Sequence, residues 1–65
     1  MRINEIVLGQ FIIVLDEQED NYKLAKFEVV GGDSKEVISV ECRSKRKAKA
    51  NFDRWVSETK ALEKD

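Results

Sequence analysis

The stretch Val37-Ile38-Ser39-Val40-Glu41-Cys42-Arg43-Ser44-Lys45-Arg46-Lys47-Ala48-Lys49-Ala50-Asn51-Phe52 changes its period in the middle. Up to Cys42 it alternates: Ile38, Val40 and Cys42 face one way, and Val37, Ser39 and Glu41 face the other, as in a half-buried strand. Beyond Cys42 the spacing lengthens. Ala48, Phe52, Trp55, Thr59 and Leu62 recur at intervals of four, three, four and three, with Val56 widening the stripe. That pattern predicts an amphipathic helix from about Ser44 to Lys64, with Ser44 placed to accept a hydrogen bond from the first turn as its N-cap.

Upstream of the switch the chain is strand-like. Residues 3–15 are rich in β-branched side chains (Ile3, Ile6, Val7, Ile12, Ile13, Val14) and form one strand, or two short ones kinked at Gly9. The acidic segment Asp16-Glu17-Gln18-Glu19-Asp20-Asn21 makes a surface turn, and a second strand runs from Tyr22 to Val30. Gly31-Gly32-Asp33-Ser34 supplies the positive-φ residues of a hairpin reversal. The expected fold is α+β in one small domain over residues 1–65. It comprises a three-stranded antiparallel meander followed by one long C-terminal amphipathic helix packed on one sheet face.

At 65 residues the core is small, and neither of the usual staples is available. Cys42 is the only cysteine, so no internal disulfide forms, and with no histidine a structural zinc lacks its ligand set. The missing histidine also removes the commonest general base and the nucleophile systems built on it. Carboxylates are plentiful in the 16–21 turn, but without the glycine and terminal glutamate of a calcium loop they form a solvated turn. No catalytic residue, metal or cofactor is expected. An apolar run of residues 11–15 is far too short to span a membrane, and the lone thiol fits a reducing, cytoplasmic setting.

Two features point to binding. The first strand is apolar on both alternating sets, with Ile3, Val7, Phe11, Ile13 and Leu15 on one and Ile6, Leu8, Ile12 and Val14 on the other. A single helix covers one face, so the second face is expected to meet another copy or a different protein; a bulge at Gly9 is the competing explanation. Tyr22 and Phe27 have opposite parity in their strand, and Tyr22, beside the acidic turn, is the one expected outside. Ile6, Leu8, Ile12, Val14 and Tyr22 are therefore the candidate partner-binding residues. Phe52 and Trp55 lie on the helix stripe and are expected to anchor it to the sheet.

Charge supplies the second feature. Residues 1–42 hold four basic and nine acidic residues, and residues 43–65 hold eight basic and four acidic, so the net charge of -1 conceals a dipolar chain. Arg43, Lys45, Arg46, Lys47 and Lys49 crowd the start of the helix, where the macrodipole favours acids. The cluster either grips an anion, in the extreme a nucleic-acid backbone, or is solvated or neutralised by the acidic turn. A domain with a pI near 5.5 and an acidic sheet is poorly suited to nucleic acid. The leading expectation is a non-catalytic protein-binding module, a homodimer in the style of small inhibitors or adaptors such as bacteriophages direct at host proteins, with accessory nucleic-acid binding second. The partner is a protein, and no membrane is expected.

Overall fold

A computed structural model describes residues 1–63. Four strands, β1 (Arg2–Leu8), β2 (Phe11–Glu17), β3 (Tyr22–Val30) and β4 (Asp33–Cys42), precede one helix, α1 (Lys45–Glu63). The strands pair in sequence order as a single antiparallel sheet, and α1 lies on one side of it. The α+β class and the C-terminal helix agree with the sequence reading; the strand count is four rather than three.

Gly9 is the reason for the fourth strand. It takes φ 60 while Gln10 stays at negative φ, and Leu8 pairs directly with Phe11, so Gly9-Gln10 closes a two-residue hairpin. Positive φ at the first central position alone is the II′ geometry, which asks for glycine there. The apolar run of residues 3–15 therefore folds back on itself instead of continuing. At the other hairpin Gly31 (φ 59) and Gly32 (φ 88) are both positive, the I′ arrangement, and Val30 pairs with Asp33. β4 consequently starts at Asp33, four residues earlier than the alternation suggested.

The core sits between α1 and the two central strands. Ile13, Leu15 and Leu24 from the sheet cluster with Ala48 and Phe52 from the helix, and Ile3, Ile6, Leu8, Tyr22, Cys42, Trp55 and Val56 pack around them. Ser44 caps α1 as expected: its Oγ accepts from the Lys47 N–H at 3.3 Å, and its carbonyl accepts from Ala48 N–H at 3.0 Å. Thr59 is fully buried on the same stripe, but Leu62 is 66% exposed. Lys64, the expected end of the helix, lies outside the described residues.

Candidate functional site

Alternation fixes which side chains share a face. Ile13 is opposite Ile6 on β1 and Lys26 on β3, and Leu15 is opposite Leu24, which is opposite Val40; these residues form the face that α1 covers. Among the described residues, the other face carries no helix. Across it runs a row in register, Val7 opposite Ile12, Ile12 opposite Phe27, and Phe27 opposite Glu36. Val7 is 61% exposed, while Ile12 and Phe27 are half-buried. The next row is Glu5, Val14, Ala25 and Ser39, and its central residues Val14 and Ala25 are buried.

The candidate partner-binding residues divide between the two faces. Ile12 and Val14 lie on the open face. Ile6 and Leu8 lie on the covered face, packed against the core, because the hairpin at Gly9 reverses the chain and resets its parity. Tyr22 also packs against the core, sharing parity with Leu24, and its hydroxyl donates to Glu17 Oε2 at 3.3 Å. Burial pushes the Tyr22 phenol above its ordinary pKa of 10.0, and the adjacent Glu17 carboxylate pushes the same way. The aromatic on the open face is therefore Phe27. Its parity, opposite to that of Leu24, was the signal for this; proximity to the acidic turn was the wrong guide. Val7, on β1, belongs with Ile12 for the same topological reason that Ile6 does not.

A rim of charge borders the apolar row. At one end, Arg2 bridges two acids, with Nε to Asp16 Oδ1 at 2.8 Å and Nη1 to Glu5 Oε1 at 2.6 Å, interactions that hold its guanidinium firmly charged. A bulge at Ile3 puts Arg2 and Glu5 on the same side of the sheet. Lys23 approaches Glu36 at 3.9 Å. Such exposed pairs contribute little to stability, but they set a pattern of alternating sign around the patch.

The five cations at the start of α1, Arg43, Lys45, Arg46, Lys47 and Lys49, are all exposed and make no ion pair among the described residues. Their location changes how they act. Glu17 pairs with Tyr22 and Tyr22 with Cys42, so the acidic 18–21 turn and the basic helix start lie at the same end of the sheet. Asn21 Nδ2 donates to Glu41 Oε1 at 2.7 Å, which ties the turn to the end of β4. The dipole in the sequence is folded into one bipolar end.

Other features belong to the scaffold. Cys42 is half-buried against the core, and Asn51 Nδ2 donates weakly to its Sγ at 3.6 Å. Beside β4, an open cleft of about 180 Å³ is lined by Lys26, Ile38, Trp55 and Glu58. Among the described residues, no helix is long and apolar enough to cross a membrane. Compared with known proteins, the chain matches no family, no curated sequence and no solved structure.

Proposed function

We propose that this chain is a non-catalytic protein-binding module, a small inhibitor or adaptor that engages a protein partner through the open face of its sheet. The observation that carries this reading is the row Val7, Ile12 and Phe27, which is aligned across three strands on a face without a helix. An aromatic flanked by aliphatics, with a charged rim of both signs, is the composition of an interface core and its edge. The fold places these residues on paired strands, which hold their spacing rigidly.

Nucleic-acid binding through the helix start is the second reading, favoured by five exposed cations without ion-pair partners among the described residues. The acidic turn at the same end opposes it, because phosphates drawn to Lys45 and Arg46 also meet Glu19 and Asp20.

Affinity capture from the source cell separates the two. Ile12→Asp should weaken retention of the captured protein about thirtyfold or more, the effect of losing a central anchor. Val7→Asp, on the exposed edge strand, should act in the same direction without threatening the core. The triple change of Lys45, Arg46 and Lys47 to Glu should leave that complex largely intact. Retention of nucleic acid that is lost in the triple variant and unchanged in Ile12→Asp would reverse the order of the two readings.

A further inference from the structure

We propose that β4 is a self-association edge, pairing antiparallel with β4 of a second copy about a two-fold axis through Val40. This goes beyond the open-face reading and uses a different surface.

The backbone geometry supports it. Val29 N–H donates to Gln10 C=O and Glu17 N–H to Met1 C=O, which fixes the direction of alternate amides through the sheet. Even-numbered β3 residues therefore turn toward β4, and their partners Ile38, Val40 and Cys42 turn inward. Ser39 and Glu41 consequently direct their N–H and C=O groups outward, with no strand beyond them among the described residues. Edge strands are usually blunted by charges and bulges, and β4 has both, including an extra residue at Val37. The bulge, however, leaves Ile38–Cys42 as a regular run of five.

Rotation about Val40 makes this run self-complementary. The outward-pointing groups of Ser39 meet those of Glu41 in the second copy, giving two hydrogen-bonded pairs. Val40 meets its own copy at the axis, and Ile38 meets Cys42. Ile38 is 49% and Val40 36% exposed although both belong to the covered face, so the pairing buries apolar surface that α1 leaves uncovered. On the open face each acid meets a donor. Ser39 stands beside Glu41, and Glu36, which precedes the bulge, stands beside Arg43 just beyond the strand. A two-fold moved by one residue, to Ser39, would instead set Glu36 against Glu41. The product is a continuous eight-stranded sheet with both helices on one side and both open faces on the other.

Sedimentation equilibrium should give about twice the 7.5 kDa chain mass. In a Cys42→Ser background, Val40→Cys should form a symmetric disulfide under mild oxidation, because a non-hydrogen-bonded pair on the axis has Cα atoms about 4.5 Å apart. The native thiols should not cross-link, since this register sets them about 13 Å apart along the strands. Ser39→Pro removes only an outward N–H, so it should keep the native circular dichroism and sediment as a monomer. A 7.5 kDa species up to millimolar concentration would overturn the proposal. So would a dimer in which Val40→Cys fails to cross-link while Val7→Cys, on the opposite edge, succeeds; this pair decides the matter even if Ser39→Pro does not fold.

Discussion

Among the described residues Thr59 is the one buried polar residue, and its Oγ1 finds no hydrogen-bond partner there. A hydroxyl buried in this way carries a desolvation penalty of about 1–3 kcal/mol. Thr59→Val keeps the shape and has a similar helix propensity, so urea denaturation should show stability raised by roughly 1–2 kcal/mol. Tyr22 permits a spectroscopic check, since it is the only tyrosine. Its phenol should titrate above the ordinary 10.0 in the folded protein, a midpoint visible in ultraviolet absorbance. Below pH 10 both states are neutral there, so the contribution is intact; above it the unfolded chain ionises first, and stability falls as pH rises through the folded value. At this scale the sequence was informative about Phe52, Trp55 and the Ser44 cap, whose roles depend on local spacing. It was misleading about Tyr22, whose side is decided by which neighbours share its parity and not by the turn beside it.

Glycine governs the elements. Space is open around Gly32, so adding a methyl group clashes with nothing, yet its φ of 88 is a conformation that other residues rarely adopt. Gly32→Ala should therefore cost about 1 kcal/mol from backbone strain alone, while Gly31→Asn, at φ 59, should be nearly neutral. A chemical-denaturation comparison of the two variants checks this. The second hairpin was legible because two adjacent glycines announce it. The first was not, because Gly9-Gln10 interrupts an apolar run without the usual cluster of turn residues, and periodicity alone does not distinguish a kinked strand from a tight hairpin. That one ambiguity decided the strand count and the faces of Ile6 and Leu8. The two-sided run is two strands, each with its own inward set, and the uncovered apolar surface is that of Val7, Ile12 and Phe27.

For the whole molecule, charge and topology have to be taken together. The sequence separates an acidic first part from a basic second part, whereas the fold brings the acidic turn and the helix start to one end. A molecule built this way steers partners by orientation more than by net attraction, and its association rates should respond to salt less steeply than those of a basic nucleic-acid binder. Fluorescence anisotropy with duplex and single-stranded oligonucleotides should show no strong, salt-sensitive binding. The most direct test of the central claim is a methyl and aromatic NMR titration with the captured protein, following Val7, Ile12, Phe27 and the neighbours of Arg43 to Lys49. The largest shifts and line broadening should fall on Val7, Ile12 and Phe27, with the helix start little changed. Perturbations confined to the helix start, with the open face silent, would contradict that claim.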